Sequence, residues 1–209
     1  HAVQSYLASV TFADHCLGLV LDALESSAYG KNTTIALFSD HGFHLGEKER
    51  WAKRSLWEDG TRVPIIVTAP GFKKNQRSDR PAELLDVFPT LLELAGLPAD
   101  SAQEGQSLVP LMKNPKKEWK HPAITSFGLG NYSVRSTRYR FIQYFDGSRE
   151  LYDLSKDPHE WKNLAADPKN KSIIEEHAAH LPKKQHPVLP GSSTGHNAYG
   201  AANANIKKN

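Results

Sequence analysis

Two short apolar runs on either side of a polar loop constrain the fold of this chain more than any other feature. The first run, Ile35 to Phe38, ends in Ser-Asp-His-Gly, and the second, Val63 to Val67, is closed by Ala-Pro-Gly. Short apolar runs bounded by such turn residues predict strands. Asp40 and His41 therefore stand where a strand ends, and in α/β proteins ligands bind at the carboxyl ends of strands. The segment predicts an α/β fold with a functional site at this edge.

The polar loop carries residue types that suit a metal ion and an anionic group. Asp40 offers the carboxylate oxygens that Ca²⁺ and Mg²⁺ require. Imidazole suits softer metals, so His41 is either a metal ligand or a hydrogen-bond partner of a bound ester. Lys53 is a compact charge that suits a sulfate or phosphate group. In the alternative interpretation, Asp40 caps a helix that begins near His44 and Lys53 is a solvated surface residue.

Composition is typical of a soluble globular protein. Hydrophobic residues make up 39% and charged residues 23% of the 209 residues, which suffice for one or two domains. The formal net charge of +3 is too small to indicate a nucleic-acid partner. We find no apolar stretch of the roughly 18 residues that a membrane-spanning helix needs and no basic n-region of a signal peptide. We therefore expect no transmembrane segment.

The first 24 residues predict one amphipathic helix, because apolar residues recur at helical spacing from Val3 to Leu21. Cys16 lies within this pattern. Free cysteine is among the most buried residue types, so we expect Cys16 to be a small buried residue and not a nucleophile.

Several separated segments together resemble the type I, formylglycine-dependent sulfatases of the alkaline phosphatase superfamily, closest to their iduronate-2-sulfatase-like and choline-sulfatase-like members. The matching segments are Tyr6 to Val10, Leu21 to Glu25, Asp40 to Lys53, Leu85 to Gly96, Gly105 to Leu111, Leu151 to Leu154 and Asp157 to Glu160. In that family the first of these helical segments lies about halfway along the polypeptide. The resemblance therefore implies that this chain is the C-terminal half only, inactive without the N-terminal half.

The resemblance also implies the fold and the division of the chain. We expect an alkaline-phosphatase-like α/β fold, with a mixed sheet between helices and a small α+β C-terminal subdomain of an antiparallel sheet plus a helix. Residues 1–125 would belong to the catalytic α/β domain, 126–181 to the subdomain, and 182–209 to an extended tail, because the tail has few large apolar residues.

The activity implied by the resemblance is hydrolysis of sulfate esters on a sulfated small molecule or a glycosaminoglycan-like glycan. The formylglycine nucleophile is expected on the N-terminal half, which is then a partner of this chain, with Ca²⁺ as the cofactor and Mg²⁺ as its alternative. The family resemblance implies a periplasmic, extracellular or lysosomal location.

The resemblance assigns catalytic roles to Lys53 and His41, and metal binding to Asp40 and His41. We predict that Lys53, His44, Trp51 and Arg50 bind substrate, because mixed aromatic and basic groups suit an anionic sugar. Two alternatives stay open at this point. One is a phosphodiester or phosphonate hydrolase of the same superfamily, and the other is a non-catalytic binding module that retains the fold.

Overall fold

Residues 1–185 are described in the computed structural model, and they divide into two units. The first unit consists of His1–Lys53, Arg62–Asp79 and Glu83–Glu118. The second consists of Arg54–Thr61, Arg80–Ala82 and the chain from Trp119 onward. The predicted tail, residues 182–209, lies outside the described residues from position 186 onward. The predicted division at residues 125 and 181 stays a prediction, although the four-stranded sheet of the second unit already begins at Ala123.

The helices and strands follow the order expected from the sequence. The helices are α1 Ala2–Glu25, α2 Glu58–Thr61, α3 Val87–Leu94, α4 Val109–Lys113 and α5 Lys171–Ala178. The strands are β1 Ile35–Phe38, β2 His44–Leu45, β3 Trp51–Ala52, β4 Ile65–Thr68, β5 Ala123–Ser126, β6 Tyr132–Arg135, β7 Tyr139–Gln143 and β8 Arg149–Asp153. Short 3₁₀ turns span Glu47–Glu49, Leu84–Asp86 and Pro168–Asn170.

Helix α1 confirms the predicted N-terminal helix, but its exposure differs from the prediction. None of its residues is buried among the described residues, and Cys16 is an exposed free cysteine. The expectation of a buried Cys16 is therefore wrong for this chain, because no described element covers that side of the helix.

Helix α1 also corrects the prediction about membrane-spanning segments. By length and composition alone, its 24 residues are sufficient to cross a membrane, so the prediction that no such stretch exists is wrong. A core helix of a soluble protein meets the same criterion. The finding therefore does not place the chain in a membrane.

Strands β1 and β4 form an antiparallel pair, in which β1 comes before the polar loop and β4 comes after it. Their register pairs Ile35 with Thr68 and Phe38 with Ile65. Strand β4 begins at Ile65 and not at Val63, because Pro64 has no N–H to donate to a partner strand. Both predicted strands are thus present, and the end of β1 leads directly to Asp40.

The segment from Glu83 to Leu94, apolar on one face, predicts a helix, and α3 confirms it with a 3₁₀ turn directly before its first residue. Asp86 ends the preceding 3₁₀ turn, and its buried carboxylate accepts hydrogen bonds from Glu83 N at 2.9 Å and Gln106 N at 2.7 Å. Pro89 lies in the first turn of α3, where its missing N–H costs nothing. Gly96 follows the helix at φ 68°, which is the left-handed C-cap conformation predicted from the sequence.

The second unit is built on an antiparallel sheet with strand order β5-β6-β7-β8. The alternating residues from Tyr132 to Tyr144 predict two short strands with a turn near Thr137, and this turn lies between β6 and β7. The buried side chains of Val134, Phe141 and Leu151 pack with Ile174 of α5. This sheet and helix confirm the predicted α+β subdomain.

A buried ion-pair cluster joins α2 to this sheet within the second unit. The Arg140 side chain is 3% exposed and forms ion pairs with Glu58 and, at 2.7 Å, with Glu160. Arg140 Nη1 also donates to the Leu56 carbonyl at 3.1 Å. Burial raises the pKa of Glu58, but the nearby Arg140 and Arg135 charges outweigh it, so its pKa lies below the usual value. The segment that follows Lys53 in sequence is therefore tied to the sheet by charge as well as by packing.

Candidate active site

Asp40, His41 and Lys53 lie together in the first unit, as the sequence predicts. Lys53 Nζ is 2.8 Å from His41 Nε2, and Asp40 Oδ2 is 3.5 Å from the same nitrogen. Lys53 is twelve positions from His41 in sequence, so the fold creates this contact. The alternative interpretation, in which Asp40 caps a helix near His44, does not hold because β2 occupies that position.

The hydrogen bonds of His41 define which nitrogen carries its proton. Nδ1 lies 2.8 Å from the carbonyl oxygen of Gly42, which can only accept, so Nδ1 carries the hydrogen and donates it. Nε2 of the neutral ring is then an acceptor and receives a hydrogen bond from the Lys53 ammonium. The hydrogen bond to the Gly42 carbonyl fixes the orientation of the ring, so the Nε2 lone pair is directed at the Lys53 ammonium.

This arrangement fits a cation. His41 Nε2 and Asp40 Oδ2 stand 3.5 Å apart, and a cation could use both once the hydrogen bond from Lys53 to Nε2 is broken. Asp40 is the hard oxygen ligand that Ca²⁺ or Mg²⁺ requires, and neutral His41 adds a nitrogen ligand. Two protein ligands are fewer than either ion takes, so further ligands must come from residues outside this pair.

A short hairpin, β2–β3, lies between His41 and Lys53 in sequence. Its register pairs His44 with Ala52 and Leu45 with Trp51. Its connecting turn is closed by a hydrogen bond from Gly46 N to Arg50 O at 2.9 Å. Gly46 has φ 121°, a backbone conformation that glycine adopts readily.

Backbone strain is concentrated in this hairpin. Three residues other than glycine have positive φ, namely Lys48 at 52°, Glu49 at 57° and Ala52 at 70°. Such conformations cost roughly 1–3 kcal/mol each and cluster at functional sites. Ala52 directly precedes Lys53, so the strained backbone sets the direction in which the lysine leaves the strand.

The other predicted substrate-binding residues occupy this hairpin but differ in exposure. His44 is 1% exposed, so within the described chain its ring is part of the packing of the hairpin. Trp51 is 55% exposed, with its ring beside Gly46. Arg50 is exposed at the end of the turn. Among the predicted substrate-binding residues of the hairpin, Trp51 and Arg50 are therefore exposed and His44 is buried.

Residues that the sequence analysis did not select also shape the site. Ser39 Oγ donates to the His41 carbonyl at 2.9 Å, which stiffens the turn after β1. Phe43 packs against Tyr6 of α1, with ring centroids 5.2 Å apart. The Ser-Asp-His-Gly turn sequence hinted at the first contact, but no local pattern predicts the second because the two rings are distant in sequence.

Comparison with known proteins identifies the family of this chain. Residues 1–97 match the family described as Sulfatase. A protein of Formosa agariphila named Sulfatase is 48% identical over 181 residues, which cover 87% of this chain and 36% of that protein. The Delta 4,5-hexuronate-2-O-sulfatase of Bacteroides thetaiotaomicron is 36% identical over 177 residues, covering 78% of this chain and 36% of that protein.

Solved structures agree with the sequence comparison. A protein solved in complex with its substrate D-glucosamine-2-N,6-O-disulfate superposes with a TM-score of 0.72 at 27% identity, covering 83% of this chain and 38% of that one. The chain thus spans about a third of the length of the curated relatives it matches. The predicted α/β fold class is confirmed, and the chain belongs to the sulfatase family.

Proposed function

We propose that this chain is the C-terminal part of a sulfatase that hydrolyses sulfate esters on a sulfated, uronic-acid-containing glycan. The observation that carries the proposal is the contact of Asp40, His41 and Lys53 at the end of β1, in a chain of the sulfatase family. A carboxylate, an oriented imidazole and an ammonium group together suit a sulfate ester, which needs its oxygen charges neutralised and its leaving alcohol protonated.

The substrate class rests on one relative and on the hairpin. The Bacteroides relative at 36% identity is named for 2-O-sulfated hexuronate, which is the same sulfate position that iduronate-2-sulfatase-like specificity requires. Arg50 and Trp51 are exposed beside Lys53. An arginine suits the uronate carboxylate, and an exposed tryptophan offers an apolar face to a sugar ring.

Each site residue has a role that its position supports. The Lys53 ammonium contacts a sulfate oxygen and stabilises the charge that grows there as the ester bond breaks. His41 Nε2 faces this ammonium, and its one lone pair serves either a proton of the leaving alcohol or a bound cation, but not both at once. Asp40 and His41 would hold a divalent cation, which we propose to be Ca²⁺, and the bound cation would supply charge neutralisation of the sulfate oxygens.

The remaining parts of the machinery lie outside this chain in our proposal. A formylglycine nucleophile and further metal ligands would come from the N-terminal half of the same sulfatase. The predicted boundaries at residues 125 and 181 would separate the catalytic domain, the subdomain and the tail. A periplasmic, extracellular or lysosomal location would give such an enzyme access to sulfated glycans.

The test is sulfate release by the full-length protein that contains this chain. We expect sulfate release from an unsaturated uronate disaccharide with a 2-O-sulfate, and slower release from the matched disaccharide that carries the sulfate on glucosamine O6. Faster hydrolysis of a phosphonate monoester than of either sulfate ester would contradict the sulfatase proposal. Preference for the O6-sulfated disaccharide would contradict the uronate assignment and leave the sulfatase assignment intact.

A further inference from the structure

Two lysine-rich segments of the first unit are joined by a hydrogen bond between residues 37 positions apart. Ser78 Oγ donates to the Pro115 carbonyl at 2.9 Å, which holds the loop 72–79 beside the segment 113–118. Both segments belong to the same unit. We call the two segments together the basic patch.

The positive charge of the chain is concentrated in the basic patch. Six of the 26 basic residues and two of the 23 acidic residues lie in these two segments, which leaves 20 basic and 21 acidic residues elsewhere. The patch therefore carries a formal charge of +4, while the rest of the chain is close to neutral. Its basic residues, all exposed, are Lys73, Lys74, Arg77, Lys113, Lys116 and Lys117.

Asp79, one of the two acidic residues of the patch, forms an exposed ion pair with Arg77. Arg77 Nε lies 3.3 Å from Asp79 Oδ1, with both side chains more than 80% exposed. Exposed pairs of this kind contribute little free energy. Arg77 can therefore exchange this partner for another anion at low cost.

The composition of the patch favours a sulfated chain over a nucleic acid. Five of its six basic residues are lysines, and Phe72 is its one aromatic residue. Proteins that bind single strands stack successive bases on aromatic side chains, which this patch lacks. Flexible lysines act as point charges that adapt to anionic groups at irregular spacing. The sulfate groups along a polysaccharide are spaced in this irregular way.

We propose that the basic patch is an exosite that binds the sulfated polysaccharide from which the substrate sugar is taken. This inference rests on the proposed function, because it takes the same polymer as ligand but uses residues that the candidate active site does not. A second attachment point raises the effective concentration of the polymer at the enzyme. It should lower the KM for long sulfated chains and leave a disaccharide unaffected.

The experiment compares two full-length variants with the same loss of charge. The patch variant carries Lys73→Gln, Lys74→Gln, Lys116→Gln and Lys117→Gln. The control variant carries Lys156→Gln, Lys162→Gln, Lys169→Gln and Lys183→Gln, at exposed positions of the second unit. Heparin is the probe, with its Kd measured at a series of salt concentrations.

The patch variant should bind heparin about tenfold more weakly or worse at about 0.15 M salt, with a shallower salt dependence, because fewer counterions are released on binding. The control variant should stay within about twofold of the wild type, because its lost charges lie elsewhere. The KM for a sulfated polymer should rise in the patch variant, with the kcat/KM for the disaccharide unchanged.

Three results would overturn the exosite. These are an equal loss in both variants, no loss in the patch variant, or equally tight, patch-dependent binding of duplex DNA of matched charge. The heparin measurement needs no turnover. Patch-dependent heparin binding by a full-length protein that releases no sulfate would therefore contradict the proposed function and leave the exosite standing.

Discussion

At the scale of single residues, the sequence predicts which residues the candidate site contains but not their geometry. The change from an apolar run to Ser-Asp-His-Gly placed Asp40 and His41 at the end of a strand. The contact between His41 Nε2 and Lys53 Nζ depends on the β2–β3 hairpin, which lies between them in sequence. That hairpin uses positive φ at Lys48, Glu49 and Ala52, which no propensity predicts because side chains rarely adopt it.

The burial of His44 shows a second limit at this scale. A histidine beside a candidate site suggested substrate binding, but the ring is 1% exposed and belongs to the packing of β2. Exposure depends on what the rest of the chain places over a residue, so a single sequence cannot supply it.

His177 carries a prediction about pH. Its Nδ1 donates to the Ile173 carbonyl at 2.7 Å, and its Nε2 accepts from Ser136 Oγ at 2.9 Å. Burial lowers the pKa of His177 below its usual value of 6.5, although its bond to Ile173 and the Glu176 charge act in the opposite direction. Below about pH 6.5 the His177 imidazole therefore binds a proton more readily in the unfolded state than in the folded state. The stability of the second unit should therefore be full above about pH 6.5 and fall as the pH drops further.

This pH dependence can be measured by amide hydrogen exchange of β7 and α5 in the full-length protein. His177→Gln should flatten the loss of protection between pH 7 and pH 5, because it removes the titrating group. His159→Gln, at an exposed position, should leave the wild-type profile unchanged. A profile that is the same in all three proteins would contradict the assignment.

At the scale of elements, the sequence predicted what local patterns determine. Helix α1, strand β1, the β6–β7 hairpin and the Gly96 cap lie where periodicity and turn residues placed them. The 3₁₀ turn before α3 carries a contact that no local pattern predicts, because its Asp86 accepts a hydrogen bond from Gln106 N twenty positions away. Long-range contacts of this kind override local helix propensity.

Gly105 offers a test of that long-range packing. A Cβ at this position would lie 2.0 Å from the Leu85 carbonyl oxygen and 2.8 Å from Asp86 N, both of them backbone atoms. Gly105→Ala should therefore destabilise the first unit by about 2 kcal/mol or more, because the backbone must move apart.

The matched control is Gly18→Ala. No atom lies within 4 Å of a Cβ at this position, and alanine favours a helix over glycine by about 1 kcal/mol. Chemical denaturation of the full-length protein would compare the two variants. An unchanged midpoint for Gly105→Ala would mean that the close approach of the two backbones does not contribute to stability.

At the scale of the whole molecule, the sequence motifs identified the family but not the substrate. The sulfatase motifs are short and spread along the chain. A chain that spans about a third of the length of its curated relatives therefore still contains several of them. In our proposal, substrate choice depends on a few exposed side chains such as Arg50 and Trp51.

The central claim is that Asp40 and Lys53 act in one sulfate-hydrolysing site. The most direct test is sulfate release from the 2-O-sulfated uronate disaccharide by full-length Lys53→Ala and Asp40→Asn, together with the content of bound divalent metal. Both variants should lose turnover by roughly a hundredfold or more, and Asp40→Asn should also lose the metal. Stability should change by less than about 0.5 kcal/mol in Lys53→Ala, because the lysine is exposed.

The controls are Lys31→Ala and Glu104→Gln, at exposed positions of the first unit, which should keep wild-type turnover and metal content. Turnover and metal content that stay at the wild-type level in Asp40→Asn and Lys53→Ala would contradict the account.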